Sequence, residues 1–316
     1  MPHKLSETAR GVYIIAATPF CEDGSIDWPS IDSLLEFYIC HEVNGITMLG
    51  MMGEAQKLND SEAVELTRYF LRQTRERVPV VVGISNAGID NLAKLGKAAM
   101  DAGAAGVMVA PMPGLKTEAQ IVDYFRQVIG ALGPSVPVVY QDYPQSTGVN
   151  VSIDCLYRLF DAHASLVMLK HEDCPGLRKL SQLRAACGGG AHRRVSVLCG
   201  NGGLYLPQEL ARGADGAMTG FAFPEMLVGV CRLFAAGKPD AGEDLFDAYL
   251  PLVRHEAQPG IGLAIRKEVL RRRGAIRSAS VRSPGPRLDA DDLRELDWLL
   301  ERLQERLSGT NRRAAE

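Results

Sequence analysis

Short apolar runs, rich in β-branched residues, alternate with amphipathic stretches from about residue 12 to residue 235. Apolar runs of this length between turn residues are typical of buried strands, whereas apolar positions with a 3.6-residue period are typical of helices. The runs predict strands at 12–17, 46–49, 80–84, 106–109, 138–141, 166–170, 195–199 and 216–218. The stretches between them predict helices near 29–42, 60–76, 89–102, 117–132, 152–161, 174–186, 204–212 and 223–235.

This order of elements makes eight βα units in a row, which favours a closed parallel (β/α)8 TIM barrel. An open doubly wound sheet is the competing architecture, but it usually carries fewer units and a glycine-rich first turn. Here Thr18-Pro19-Phe20 follows the first predicted strand, with no G-x-G-x-x-G motif near it. We therefore predict one barrel over residues 1–236.

The strand pattern stops at Lys238, and the remaining segments are helical in pattern. They predict helices near 239–256, 260–273 and 289–308, with the turn-rich Ser283-Pro284-Gly285-Pro286 before the last of them. The simplest interpretation is a C-terminal helical extension over residues 237–316 that packs on the barrel.

Composition narrows the class of protein. The chain has 316 residues, 46% hydrophobic and 23% charged, with a net charge of −3, as expected of a globular enzyme-sized protein without a nucleic-acid or membrane partner. No apolar stretch has the roughly 18 residues of a membrane span, and the N-terminus lacks the apolar segment of a signal peptide. The seven cysteines are scattered without a Cys-x-x-Cys pair, which favours reduced thiols and a cytoplasmic location. No spacing of His, Cys and carboxylates indicates a metal, and no cofactor is expected.

Lys170 is the most informative residue, because it closes the apolar run that begins at Leu166. An ammonium group at the end of a buried strand is poorly solvated, which favours the neutral amine that Schiff-base chemistry needs. Alternatively, its stem lies along apolar surface while its amine reaches water. In a (β/α)8 barrel the active site lies at the C-terminal ends of the strands, and there Lys170 belongs to the catalytic rim.

Several motifs at these strand ends make the chain resemble the dihydrodipicolinate synthase / N-acetylneuraminate lyase family, which are class I aldolase-type barrels. They are, besides the strand-six lysine and the helical tail, Thr18-Pro19-Phe20, Gly50-x-x-Gly53-Glu54 and Pro144-x-x-Thr147-Gly148. The resemblance implies that Lys170 forms an imine with a 2-keto acid, usually pyruvate, and that the glycine-rich second loop binds its carboxylate. On this basis we assign substrate binding to Thr18, Gly50, Met51, Met52, Gly53, Gly200 and Thr219.

Four departures from the family pattern argue against the synthase reaction itself. Met51 and Met52 stand where the family usually has hydroxyl residues, and a thioether cannot donate a hydrogen bond. Ser146 stands where the synthases carry an arginine, and the Met112-Pro113 region occupies their aromatic relay position. The family's catalytic tyrosine position, three residues before Pro144, holds Gln141.

Register decides which neighbour replaces that tyrosine. Unless a bulge intervenes, alternation points Tyr140 toward the helices and Gln141 into the site, while Tyr143 reaches the site only if its loop bends inward. The candidate catalytic residues are therefore Lys170, Gln141, Tyr143 and Tyr140.

Charged neighbours of Lys170 are the remaining candidates for proton transfer. His171 is expected on the face opposite Lys170, and Glu172 on the same face, either as its ion-pair partner or as a base. Asp142 lies at the neighbouring strand end, and Glu54 is best interpreted as a structural partner of nearby backbone amides.

The leading hypothesis is a Schiff-base-forming lyase or aldolase acting on a pyruvate-type 2-keto acid. The reaction is carbon–carbon cleavage or condensation, or dehydration of a keto-sugar acid; a Schiff-base deaminase also remains open. The alternative is a family member that binds a small keto acid or metabolite without turnover, since the usual tyrosine and hydroxyls are missing. Family likeness further implies a homotetramer or dimer.

Overall fold

The computed structural model describes residues 4–188 and 190–313. Within these residues, parallel strands in sequence order close into one barrel, with β8 pairing back to β1. The strands are β1 (Gly11–Ile15), β2 (Gly45–Met48), β3 (Val80–Gly83), β4 (Gly106–Val109), β5 (Val138–Asp142), β6 (Leu166–His171), β7 (Ser196–Cys199) and β8 (Gly216–Ala217). The predicted (β/α)8 barrel is confirmed, and each predicted strand lies within about two residues of an observed one. The extreme ends of the two predicted units, and Gly189, lie outside the described residues.

Helices separate the strands as the apolar pattern predicts. They are α1 (Trp28–Cys40), α2 (Asp60–Thr74), α3 (Ile89–Asp101), α4 (Glu118–Leu132), α5 (Pro144–Thr147), α6 (Ile153–Ala162), α7 (Leu177–Gly188), α8 (Leu206–Ala211) and α9 (Pro224–Ala235). Capping boxes fix two of the starts, at Asn59 with Glu62 and at Thr117 with Gln120, because each pair satisfies backbone N–H groups that the first turn leaves free.

The barrel has two apolar layers, and alternation along each strand assigns side chains to one or the other. The inner cluster fills the barrel itself and includes Tyr13, Ile15, Val81, Met108, Val139, Val167, Met168, Leu198 and Met218. The larger cluster lies between strands and helices and includes Val12, Ile14, Tyr140, Leu166 and Leu169. Gln141 therefore follows the inward parity of Val139, and Lys170 that of Met168.

A register shift between β5 and β6 sets the final pairing at the rim. Val138 pairs with Leu166, whereas Val139 pairs with Met168, so Val167 is an extra residue in β6. Beyond this bulge Gln141 pairs with Lys170. The two candidate residues consequently lie side by side on neighbouring strands.

The C-terminal helices pack on the barrel. They are α10 (Pro239–Glu256), α11 (Gly262–Arg272) and α12 (Ala290–Arg313). α10 contacts α8 and α9 on the barrel side and both of the other tail helices. None of the described helices combines the length and the apolar character needed to cross a membrane.

Candidate active site

Lys170 lies at the rim in contact with a carboxylate. Its side chain is almost fully buried, and its Nζ lies 3.0 Å from Oε2 of Glu172. Lys170 lies in β6, and Glu172 follows directly after the strand with the same parity as Lys170. Burial strengthens their attraction, since little water screens the pair. The arrangement gives the amine a proton acceptor within hydrogen-bond distance.

Gln141 completes this cluster from β5. Its Nε2 donates a hydrogen bond to Oε2 of Glu172 at 2.7 Å, the same oxygen that contacts Lys170. An amide does not titrate near neutral pH, so Gln141 orients the carboxylate and leaves proton transfer to the charged pair.

Gly200, after β7, leaves room for Glu172. A Cβ atom at this position would lie 2.2 Å from Glu172 Cγ and 2.5 Å from its Oε1, far inside normal contact. Asn201, the next residue, donates from Nδ2 to the backbone oxygen of Glu172 at 3.2 Å. Gly200, predicted as a substrate contact, therefore touches the carboxylate of the Lys170–Glu172–Gln141 cluster.

Tyr140 does not reach the cluster, so its selection as a catalytic candidate was wrong on geometry. It points into the outer layer, where its ring stacks on Phe125 of α4 with centroids 4.6 Å apart. Burial raises the pKa of its phenol well above the ordinary value, and its oxygen has no hydrogen-bond partner in the described part of the chain. The bulge lies below this position and does not turn it inward.

Tyr143 lies in the loop after β5 and lines a large cavity together with Gln141. Burial raises the pKa of its phenol, and the negative charge of Glu172 adds to this rise. Its hydroxyl is therefore a proton donor at neutral pH.

The cavity has a volume of about 1200 Å³ and opens over the ends of β2 to β5. Gly50, Met51 and Ser146 are part of its wall, and Met51 is 49% exposed. Gln141 belongs both to this wall and to the lysine cluster, while Lys170 itself is not part of the wall. A ligand entering the cavity thus meets Gln141 before the amine.

The β2 loop forms a short 3-10 turn over the barrel. Thr18 donates from Oγ1 to the backbone oxygen of Gly53 at 2.7 Å, which ties the end of β1 to the loop. Met52 packs on the inner apolar cluster, and Gly50 lies close to Ile15, where a Cβ would come to 3.2 Å of its side chain. The loop therefore brings these predicted binding residues together, with Thr18 tied to Gly53 and Met52 packed on the inner cluster.

Thr219 lies beyond β8. Its backbone oxygen accepts from the N–H of Ile15 at 2.9 Å, and its methyl group faces Gly203. Its side chain is buried, so the structure gives it a place in the rim without a polar contact to the lysine cluster.

Other charged residues near the site face away from it. His171 turns to the outer side, where its Nε2 lies 3.0 Å from the backbone oxygen of Gly176, as alternation predicts. Asp142 accepts from Lys179 Nζ at 2.7 Å. Glu54 accepts from Lys57, Lys267 and the backbone of Arg282, in agreement with its interpretation as a structural residue.

Two residues near the site were not among the predicted site residues. Glu172 can be inferred from the sequence, because it lies two residues after Lys170 and therefore on the same face. No sequence pattern indicates Arg266 of α11, because its Nη1 contacts Sδ of Met52, a residue 214 positions away. Within the described residues no group of three or more His, Cys, Asp or Glu side chains is arranged to hold a metal ion.

A closed barrel with a buried lysine and a carboxylate at the ends of its strands defines an imine-competent barrel of the lyase type. The chain belongs to the dihydrodipicolinate synthetase family, whose model matches residues 8–303. It is 30% identical over 298 residues to L-2-keto-3-deoxyarabonate dehydratase of Azospirillum brasilense, covering 93% of this chain and 94% of that one. The predicted family and lyase class are confirmed.

Solved structures agree with this assignment. A crystal structure of dihydrodipicolinate synthase from Rhodopseudomonas palustris has a TM-score of 0.92 and 47% identity, covering 95% of this chain and 99% of that one. A prophage protein of the same family from E. coli K12, in complex with pyruvate, has a TM-score of 0.85 and 25% identity, covering 93% and 98%.

Proposed function

We propose that this protein is a Schiff-base dehydratase that removes water from a 2-keto-3-deoxy sugar acid. The observation that carries the proposal is the shared oxygen of Glu172, 3.0 Å from Lys170 Nζ and 2.7 Å from Gln141 Nε2. The name of the dehydratase relative and the pyruvate held by the E. coli family member support the substrate class.

The first step is formation of the imine. Glu172 accepts a proton from the ammonium of Lys170, and the neutral amine adds to the C2 carbonyl of the keto acid. Glu172 returns this proton to the carbinolamine hydroxyl, which leaves as water, so the products are a protonated imine and the carboxylate of Glu172. A ligand in the cavity reaches the lysine past Gln141, because that side chain lines the cavity and contacts the carboxylate beside Lys170.

The second step is elimination. The protonated imine draws electrons from C3, and the carboxylate of Glu172 removes a C3 proton to give an enamine. The enamine expels the C4 hydroxyl as water, with the proton returned from the carboxyl group of Glu172. Hydrolysis of the resulting unsaturated imine restores Lys170 and releases the dehydrated keto acid.

The missing hydroxyls favour elimination over the synthase reaction. Met51 and Met52 cannot relay a proton, and Gln141 does not titrate. Glu172 is the carboxylate in contact with Lys170, and one carboxylate suffices to move a proton from C3 to a leaving hydroxyl at C4. Tyr143 lines the cavity, which supports a role for its hydroxyl as a hydrogen-bond donor to the substrate's distal hydroxyls.

Two experiments test the proposal. Borohydride reduction with pyruvate should add a stable mass to Lys170, located by peptide mass spectrometry, and a Lys170→Arg variant should show none. With 2-keto-3-deoxy sugar acids, dehydration gives a product lighter by one water, whereas aldol cleavage gives pyruvate and an aldehyde. Absence of any adduct across a panel of 2-keto acids would leave the binding-only alternative.

We further propose a cytoplasmic homo-oligomer, a dimer or tetramer, as the family likeness implies. Light scattering coupled to size exclusion measures the number of copies. A monomer at micromolar concentration would contradict this part of the proposal without affecting the chemistry.

A further inference from the structure

We propose that Arg266, contributed by the C-terminal extension, recognises the carboxylate of the substrate and takes over the role of the hydroxyl groups that the β2 loop lacks. The inference rests on the proposed function, since it assumes a 2-keto acid bound in the mouth of the barrel. It assigns the tail helices a part in selecting the substrate.

The guanidinium of Arg266 is buried and incompletely paired. Its Nε donates to Glu256 Oε2 at 2.7 Å, which fixes the plane of the group. Its Nη1 points at Sδ of Met52, and sulfur is a weak acceptor. In the described part of the chain Nη2 has no hydrogen-bond partner. Nη2 is not among the fully buried atoms that lack a partner, so the guanidinium has one weakly paired donor and one accessible donor with which it can bind an anion.

Gly220 shows that these donors lie inside the barrel mouth. The side chain of Met218 belongs to the inner cluster, so alternation directs position 220 inward as well. A Cβ at Gly220 would lie 2.0 Å from Met52 Sδ and 3.1 Å from Arg266 Nη1. The absence of a side chain there leaves the space that Met52 and the guanidinium occupy.

The position also fits a substrate attached to Lys170. β2 and β6 lie on opposite sides of the ring of strands, so the loop carrying Met52 faces the lysine strand across the mouth. The carboxylate of a 2-keto acid is bonded to the carbon that forms the imine, and it can point from Lys170 toward this loop.

Met52 acts as a movable cover in this arrangement. Its unbranched side chain adopts other rotamers at little cost. When it turns aside, a carboxylate oxygen takes the place of the sulfur and receives charge-assisted hydrogen bonds from Nη1 and Nη2. Glu256 remains on Nε and keeps the guanidinium oriented.

The test compares pyruvate with its neutral methyl ester. Each is trapped on Lys170 with borohydride, and the half-saturating concentration is read from the mass-labelled fraction. The variant is Arg266→Met with Glu256→Gln, which removes both charges and leaves no unpaired carboxylate. The matched control is Arg273→Met with Glu225→Gln, another tail arginine–carboxylate pair at 2.7 Å.

We expect the preference for pyruvate over the ester to fall roughly 10- to 100-fold in the Arg266 variant, as for the loss of a charge-assisted hydrogen bond. The half-saturating ester concentration and the control variant should change less than about threefold. An unchanged preference in a folded Arg266 variant overturns the assignment. If that variant does not fold, Arg266→Lys replaces it: weakening of pyruvate alone supports the proposal, and equal effects on both ligands refute it.

Failure of the proposed function has a different outcome. In that case the wild-type protein forms no adduct on Lys170 with either ligand. Calorimetric binding of pyruvate and its ester to the same variants then tests Arg266 separately, and a preference independent of Arg266 refutes the inference.

Discussion

At the residue scale, one carboxylate oxygen organises the candidate site. Glu172 Oε2 contacts the amine of Lys170 and the amide of Gln141, and Gly200 leaves the space in which the carboxylate lies. The amine therefore has a partner for its proton before any substrate arrives. Imine formation and proton transfer at carbon depend on different properties of this cluster, and substitutions can separate them.

Glu172→Gln should separate the two steps. We expect turnover to fall about 10²- to 10⁴-fold, the usual contribution of a general acid–base. Pyruvate should still be trapped on Lys170, but more slowly, because Glu172 also accepts the ammonium proton and solvent must replace it in that step. Steady-state kinetics and borohydride labelling measure the two effects. Asp173→Asn, the adjacent carboxylate that pairs with Lys179 outside the site, is the control and should retain most of the activity. Equal losses in both variants would remove Glu172 from the mechanism.

Gly200→Ala tests the geometry of the same carboxylate. The added methyl group would lie 2.2 Å from Glu172 Cγ, so the carboxylate must move away from Lys170. We expect at least a tenfold loss of kcat with little change in thermal midpoint. Gly130→Ala on α4, where a Cβ meets nothing within 4 Å, is the control. Full activity of Gly200→Ala would mean that the position of Glu172 is not critical.

Sequence reasoning reached part of this site. Lys170 and Gln141 follow from strand ends and from counting along strands, and alternation predicts that Tyr140 points outward, as the structure shows. Arg266 could not be found this way, because its position depends on how a distant helix docks, and no local pattern specifies that docking.

At the element scale, α11 is attached to the β2 loop by a buried ion pair. Lys267 donates to Glu54 Oε1 at 2.5 Å and to the backbone oxygen of Ser280 at 2.8 Å. Burial lowers the pKa of Lys267, and the charge of Glu54 opposes that change. Removal of one partner leaves a buried charge without its main counter-charge.

Lys267→Met should therefore destabilise the protein by about 3–5 kcal/mol, and the double variant with Glu54→Gln by less. Urea unfolding of the two single variants and the double variant gives the coupling energy. Lys97→Met removes an exposed ion pair with Asp101 on α3 and should cost less than about 0.5 kcal/mol. If the double variant loses as much free energy of unfolding as the two single variants together, the two residues are not coupled.

α8 carries a buried acid with an unusual titration. The pKa of Glu209 is raised to about 7, mainly by burial and further by the charge of Glu172, whereas His171 and Cys199 act in the opposite direction. Between its ordinary value of 4.5 and about 7, the folded state binds more protons than the unfolded state. Its contribution to stability is therefore complete below the lower value and is lost as the pH rises through the higher one.

Glu209→Gln removes this dependence. We expect the variant and the wild type to have similar free energies of unfolding near pH 5, and the variant to be more stable by up to about 3 kcal/mol near pH 8. Urea unfolding across that range measures the difference. Exposed Glu305→Gln on α12 should run parallel to the wild type. A constant difference for Glu209→Gln would show that this carboxyl does not titrate in the range.

The elements that sequence patterns missed are short. α5 has four residues and begins at Pro144, so no apolar period can develop in it. The predicted start of one longer helix was also wrong: α7 begins at Leu177 and not near 174, since the Cys174-Pro175-Gly176 turn comes before it. Amphipathic stretches of ten residues or more were found because each buries one continuous face.

At the scale of the whole molecule, eight apolar runs were sufficient to predict a closed barrel, because few other arrangements bury so many consecutive parallel strands on both faces. The packing of α10 against α8 and α9 supports the proposal that residues 237–316 form an extension of the barrel and not an independent domain. If the proposal is correct, the tail and the barrel unfold together in one cooperative transition.

The two tryptophans report on the two parts. Trp28 begins α1 on the barrel, and Trp298 lies on α12 in the tail. The variant Trp28→Phe leaves only the tail tryptophan, and Trp298→Phe leaves only the barrel tryptophan. In each variant we expect the urea midpoint of the fluorescence to coincide with the midpoint measured by circular dichroism. A tail that unfolds at lower urea would indicate a separable domain.

The extra residue in β6 decides where the nucleophile points. Counted by strict alternation from Leu166, whose side chain faces the helices, residue 170 would face the helices too. Val167 and Met168 both turn inward at the bulge. Alternation from Met168 therefore places the side chain of Lys170 inside the barrel. A regular strand of the same length, without the bulge, would keep every chemical group and yet turn the amine toward the helices. The lysine and the bulge must therefore be transferred together in any redesign of this strand.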